Sequence, residues 1–418
     1  MIITLVFFTF LASSCLYYFF TTKFDNPRYY KLNTLRAKSL DIPDDKLITT
    51  RYSKLKVNKD IDTIIIGSGI GGLTSASLLA QTGRRVLVLE QHYIAGGCTH
   101  TFVDKKVEHE SGIHYVGSIH KYKPLFEIVG DDEIEWCQLG HEDPENLVYD
   151  EIIVDGESFR LPAGKQNLID YLIKRFPDDK YGIREYFTLV EMAAKKNLFF
   201  KLKTAPYFFS VIYDYFSRFI GNTYYKFNEV SAEYIVHRYI KNETLRKVLL
   251  GQFPDYGLLP SEASFFIHAS IVNHYLEGGY YPKGGPSVIA KSIVKKINKF
   301  GGQVFVGEKV RNIIIEDGVA KGVFMNNGDI IPAKNVVSAT GIKTTFESLV
   351  SKNSVPKMYK RILEKIPPSC QHFYLFVNLD GTPSELNLPS NNFWIYPTDS
   401  ETGKSEFNKS TAINALLA

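Results

Sequence analysis

Residues Asp62–Gly97 read DTIIIGSGIGGLTSASLLAQTGRRVLVLEQHYIAGG, and this stretch decides the fold. Asp62-Thr63-Ile64-Ile65-Ile66 is β-branched and apolar on both faces, the pattern of a strand buried inside a parallel sheet. Gly67-Ser68-Gly69-Ile70-Gly71-Gly72 follows at once. Leu73–Gln81 then has the small and apolar spacing of a helix packed on that sheet, and Gly83 stops it. Val86–Leu89 forms a second buried strand that ends in Glu90, followed by Gln91. Gly67 permits the tight turn, Gly69 lets the backbone approach a pyrophosphate, and Gly72 lets helix and strand pack closely. The phosphates sit on free N–H groups at the positive end of the helix dipole. Glu90 stands where a carboxylate accepts hydrogen bonds from a ribose 2′-hydroxyl, which disfavours NADP at this site. A lone GxGxxG is only a Gly-rich turn. Strand, glycines, helix, second strand and acid in that order make a dinucleotide site.

Two features favour FAD over NAD there. Gly96-Gly97, soon after Glu90, gives a second close backbone approach, and one long interrupted chain surrounds the motif. The pattern resembles the flavoprotein group that includes amine oxidases and phytoene desaturases.

At 418 residues the chain can bury a large core and form about two domains. A net charge of +4 is too small to imply a nucleic-acid partner, and no compact basic stretch suggests one. The 14% aromatic content, mostly Phe and Tyr, suits an apolar ligand. Met1–Phe20 carries no charge, and basic residues follow it from Lys23 onward; residues 1–22 are a signal peptide or a membrane anchor, with the anchor favoured. The anchored body faces the cytosol by the positive-inside rule, or the lumen by the secretory route. Four cysteines, one of them in the apolar run, make no disulfide framework.

Residues 23–60 are polar and aperiodic and read as a linker. Residues 61–146 and 284–345 make a discontinuous FAD-binding domain; 147–283 and 346–418 make an incomplete substrate or lid domain. The fold class is α/β: a Rossmann-like domain with a β-meander (Val310–Glu316, Ala320–Asn326, Asp329–Pro332) and an interleaved substrate domain. Phe373–Asn378 and Asn392–Tyr396 read as late strands. Five histidines fall within His92–His120, yet none has the HExxH arrangement or an accompanying cysteine pair, so no metal site is assigned. The crowded SGIHYVG stretch suits a loop beside a flavin ring, with His114 and Tyr115 as candidate proton donors and His274 behind them. Tyr207–Phe227 (YFFSVIYDYFSRFIGNTYYKF) has an aromatic helical stripe, which is either a lid or core helix or a helix lying in a membrane surface.

VLEQHYIAGGCTHTF, SGIHYVG, the PDYG turn and VNHYLEGGYYPKGG together resemble the all-trans-retinol 13,14-reductase (retinol saturase) family, relatives of carotenoid isomerases and phytoene desaturases. The resemblance implies an FAD enzyme of the endoplasmic reticulum membrane that saturates one C=C bond of a retinoid, with NAD or NADP as a possible electron donor. It also implies that backbone at Val310 holds the adenine. The family's chain continues past the point where this one ends, through a late strand and a Gly-rich helix start. Nothing from Tyr396 to Ala418 matches these, so the chain is expected to be truncated relative to the family. Two other functions stay open: a retinoid or carotenoid isomerase or desaturase on the same scaffold, and a non-catalytic binding protein like Rab escort proteins. The intact Gly67, Gly69, Gly72 and Glu90 weigh against the second.

Overall fold

The structure is a computed structural model that describes residues 42–141, 147–194, 215, 223–366, 372–398, 402, 405, 407 and 413–416. The apolar N-terminal run lies outside these residues, as does the aromatic stretch 207–227 except for Tyr215 and residues 223–227. Among the described residues no helix is long and apolar enough to cross a membrane.

The chain forms two compact units, Met1–Ala95 with Ile293–Ser354, and Gly96–Ser292 with Val355–Ala418. The first is built on a four-stranded parallel sheet, in the order Gln303–Phe305, Val86–Leu89, Thr63–Ile66, Asn335–Ser338. All residues of Thr63–Ile66 and Val86–Leu89 are buried, as strands covered on both faces require. The helix Ile70–Gln81 packs on these two strands and buries Leu73, Ala76 and Ala80. Ile64, Ile66, Leu87, Leu89 and Phe305 form the core with Val310, Val323, Met325 and Ile331 from the antiparallel meander. The meander strands are Val310–Glu316, Val319–Met325 and Ile330–Pro332.

Within the stretch read as a linker, residues 47–58 hold specific contacts to the edge of the parallel sheet. Leu47 and Ile48 are buried, and Arg51 bridges to Val306 in parallel with the sheet edge. Tyr52 N–H donates to Val306 O at 3.0 Å, and Val306 N–H donates to Thr50 O at 3.0 Å. Gln303 caps the contact, donating through Nε2 to Lys56 O and accepting from Asn58 N–H, both at 2.7 Å.

The second unit has a mixed sheet ordered Ile413–Leu416, Asn392–Ile395, Val148–Val154, Glu157–Pro162. The last two strands form a hairpin closed by Asp155-Gly156, both at positive φ (53° and 76°), as a two-residue Asp-Gly turn demands. Helices Lys165–Arg175, Lys180–Ala194, Ala232–Tyr239, Glu243–Leu250 and Phe265–Tyr275 bury their apolar faces in one core with this sheet. Three of them are capped by side chains: Ser231 accepts from Tyr234 N–H, Asn242 from Leu245 N–H and Ser264 from Ile267 N–H. The expected strand Phe373–Asn378 is not one: residues 372–379 pair with no strand among the described residues, and Phe373, Leu375 and Val377 are exposed. Their aromatic and β-branched run is strand-like in composition but has no neighbour among the described residues to complete it.

Candidate nucleotide site and the polar cluster of the second unit

The glycine turn leaves the carboxyl end of Thr63–Ile66 and enters the helix Ile70–Gln81 with Gly69 as its N-cap. Its glycines answer to two different demands. Gly67 has φ +96°, a conformation that a side chain resists. A Cβ on Gly72 would lie 2.1 Å from Gly67 O, so helix and turn touch only because that position is bare. Gly69 and Gly71 meet neither demand: a Cβ on either would find nothing within 4 Å, and both have ordinary φ. The chain itself does not require them bare. The room they leave, above the first N–H groups of a helix, suits a diphosphate.

Ser68 and Glu90 tie the turn to the second strand. Glu90 Oε2 accepts from Ser68 N–H and Ser68 Oγ, both at 2.8 Å, and Oε1 accepts from His92 N–H at 2.8 Å. A carboxylate offers about four lone-pair positions, so one remains for a ribose hydroxyl. Sequence reading assigns Glu90 to the sugar; the structure adds that it also fixes the turn. Glu308 N–H donates to Glu90 O and Gly307 N–H donates to His92 O. These two bonds bring the start of the meander, and with it Val310, to the strand end that carries Gly67, Ser68, Gly69, Ile70 and Glu90. Gln91 is exposed there. This is the crevice outside the carboxyl ends of parallel strands where α/β folds take ligands.

Gly96 and Gly97 belong to the second unit. Both have positive φ (130° and 58°), and a Cβ on Gly96 would lie 2.9 Å from Thr99 Oγ1. Their bareness is therefore required by the loop itself. Among the described residues no group of three or more metal-ligating side chains comes together.

The three proton-donor candidates part company. His114 Nδ1 donates to Glu110 Oε2 at 2.9 Å. Tyr115, by contrast, is buried in the core of the second unit, and its hydroxyl donates to Asp150 Oδ1 at 2.9 Å. That geometry makes Tyr115 a core residue rather than a group facing an open site. His274 Nε2 accepts from Gly117 N–H at 2.9 Å, which places the ring proton on Nδ1; burial pushes its pKa down to about 4. It is held neutral, with its lone pair already used.

A polar cluster that sequence reading did not assign lies in the same unit. Asp150 is fully buried and accepts from Gln252 Nε2 at 2.6 Å, Tyr115 Oη at 2.9 Å and Asn392 Nδ2 at 3.2 Å. Burial raises its pKa to about 6 against those hydrogen bonds. A carboxylate inside the otherwise apolar strand run around Val148-Tyr149 was the available signal. Asp255, in the PDYG turn, keeps an exposed surface; desolvation and then the charge of Asp150 push its carboxyl up. Below them His268 is fully buried between Tyr186 Oη at 2.8 Å and Tyr256 Oη at 3.3 Å, and burial lowers its pKa to about 3.

Residues 65–131 match the family model of the NAD(P)-binding Rossmann-like domain. The chain is 34% identical to the all-trans-retinol 13,14-reductase of Danio rerio over 84% of its own length and 60% of the relative's. It is 28% identical to prolycopene isomerase 1, chloroplastic, of an Oncidium hybrid cultivar, over 75% of this chain and 54% of that one. The chain thus spans about 60% of the length of the reductases it matches. In fold it is similar to an oxidoreductase from Methanosarcina mazei, with TM-score 0.52, 20% identity, and coverage of 74% of this chain and 66% of that one. Rossmann-like sheet, glycine turn and sequence agree: over the length they share, this chain is a relative of the all-trans-retinol 13,14-reductases, built on a dinucleotide-binding oxidoreductase fold.

Proposed function

We propose that this chain acts in an FAD-dependent oxidoreductase that saturates a C=C bond of a retinoid, converting all-trans-retinol to 13,14-dihydroretinol. The observation that carries the cofactor half is the bare space over Gly69 and Gly71, which the chain's own packing leaves unexplained. FAD, when bound, supplies two-electron transfer to carbon. The chain's residues hold it. Backbone N–H groups of the turn face the diphosphate, Glu90 offers its remaining lone pair to the ribose, and backbone at Val310 is offered to the adenine. His114, hydrogen-bonded to Glu110, is the candidate proton donor of the SGIHYVG loop. NAD or NADP is the proposed electron source. The substrate half is supported by the names of the relatives.

Similarity to a prolycopene isomerase favours a second reading, isomerisation of a polyene on the same scaffold. One incubation separates the two: the purified chain, loaded with FAD and reduced, is given all-trans-retinol. A product carrying two extra hydrogens supports saturation; a cis isomer without added hydrogen refutes it. We also propose attachment to the endoplasmic reticulum membrane, supported by the uncharged run Met1–Phe20. Release of the protein from microsomes by alkaline carbonate would rule that out.

A further inference from the structure

The helix Lys357–Lys365, KMYKRILEK, belongs to the second unit and uses little of its apolar surface to hold its place there. Leu363 is buried and Tyr359, four residues earlier, is half-buried. Met358, Ile362 and, at the C-cap, Ile366 form the next row at the same spacing, and they stay 63%, 41% and 40% exposed. Lys357, Arg361 and Lys365 form a third row beside it. All three are exposed, and none of their side chains enters an ion pair or hydrogen bond among the described residues. Glu364 is the helix's one acid against four basic residues. The helix thus turns outward an apolar row edged by positive charge. Exposed apolar side chains in a contiguous row, rather than scattered singly, mark a surface that is covered in use. The charge says by what. A second bare apolar stretch of the same unit, residues 373–379, holds no charged residue, so nothing there chooses its cover. The rows of the helix do choose, because they match a layer that is anionic at its face and apolar just beneath.

We propose that this helix is a peripheral lipid contact of the second unit, laying Met358, Ile362 and Ile366 into the surface of a bilayer with anionic headgroups and setting Lys357, Arg361 and Lys365 at the phosphates. A helix lying in the interface sinks its apolar side only about 5 to 10 Å, so a short row is enough. The long basic stems cover apolar surface while their charged ends reach the headgroups. The contact rests neither on the retinoid reading nor on the apolar run Met1–Phe20. An uncharged span enters any bilayer. This helix needs a negative one, where three basic residues are together worth about 10²-fold in affinity.

The test uses the full chain carrying Met358→Trp, with vesicles of brominated phosphatidylcholine prepared with or without phosphatidylserine. The unsubstituted chain, which has Trp136 and Trp394 alone, supplies the background. Emission of the added tryptophan should shift to the blue and be quenched by the brominated chains only where phosphatidylserine is present. Salt at about 1 M, which shortens the Debye length to about 3 Å, should reverse both effects. Lys357→Gln, Arg361→Gln and Lys365→Gln together, in the same background, should weaken the contact about 10²-fold and abolish the quenching. Hydrogen exchange across residues 357–365 of the unsubstituted chain gives the same reading without a new tryptophan: vesicles with phosphatidylserine should slow it, and those without should not. Equal quenching with and without phosphatidylserine overturns the proposal. So does a chain that floats with the vesicles while its added tryptophan stays in water, a result that leaves the N-terminal attachment standing. A blue shift without vesicles, in a particle of twice the mass, overturns it in favour of a second copy of the chain.

Discussion

Gly69 and Gly72 are three residues apart in one turn, and replacing each with valine separates the ligand's demands from the chain's. At Gly72 the new Cβ would lie 2.1 Å from Gly67 O, more than 1 Å inside any tolerable contact with a backbone atom. The helix Ile70–Gln81 must then lift from the turn, at a cost of roughly 3 kcal/mol or more for such overpacking. At Gly69 φ is −62° and ψ 171°, which any residue adopts, and the new side chain enters open space. The stability change there should stay within about 1 kcal/mol, since a cap penalty and a stiffer unfolded chain oppose each other. Cofactor binding should behave the opposite way. A side chain at Gly69 fills the room over the helix N-terminus and displaces the diphosphate from its N–H donors. Losing two charge-assisted hydrogen bonds of roughly 1.5 to 3 kcal/mol each weakens binding by about 10² to 10⁴-fold. Urea denaturation gives the first quantity, and equilibrium dialysis against FAD the second. If Gly69→Val binds FAD within threefold of wild type, the turn is not the diphosphate site. If it unfolds as readily as Gly72→Val, the two glycines do not differ as argued.

Glu90→Gln swaps a carboxylate that accepts three hydrogen bonds for an amide whose NH2 must face a donor. It should cost about 2 kcal/mol in urea denaturation and lower FAD affinity as well. Hydrogen bonds from Arg85 and Lys334 hold the Asp62 carboxyl well below the usual carboxylate range. Its contribution, about 1 to 2 kcal/mol after solvent screening, is therefore present above pH 4 and lost as pH falls further. Stability curves of wild type and Asp62→Asn should converge in strong acid; a constant gap would refute this. His268, lowered to about 3, and His274, lowered to about 4, stay neutral in the folded chain while the unfolded chain takes up protons below about pH 6.5. Each makes stability fall by about 1.4 kcal/mol per pH unit in that window, so His268→Gln should roughly halve the histidine part of the slope between pH 6 and 4. An unchanged slope would place His268 outside the core.

What the sequence can reveal depends on how local the physics is. The run Asp62–Glu90 is legible because strand period, turn chemistry and helix spacing are each set within a few residues. Residues 47–57 are not, because they are polar and aperiodic; their order comes from backbone bonds to Thr50 and Val306 and from the distant Gln303. Phe373–Asn378 errs in the opposite direction: its aromatic and apolar composition is right for a strand, but a strand needs a partner from elsewhere in the chain. Asp150 and Asp255 are two ordinary letters in the sequence, 105 positions apart, and their coupling exists only once the strand Val148–Val154 and the PDYG turn share a core.

The glycines of the nucleotide turn set the sharpest limit. Gly67, Gly69, Gly71 and Gly72 are the same letter, and a motif treats them as one signature. The structure divides them by what surrounds each missing side chain. Gly67 and Gly72 are bare because the backbone would strain or collide, a reason wholly internal to the fold. Such positions persist even in a chain that has lost its ligand. Gly69 and Gly71 have no internal reason, so a chain freed from binding a dinucleotide could fill them at little cost to stability. Their bareness is therefore a mark of binding, and the other two are a mark of fold. That distinction separates a nucleotide-binding chain from one that keeps only the architecture, and the bare Gly69 and Gly71 are what the proposed cofactor role rests on here.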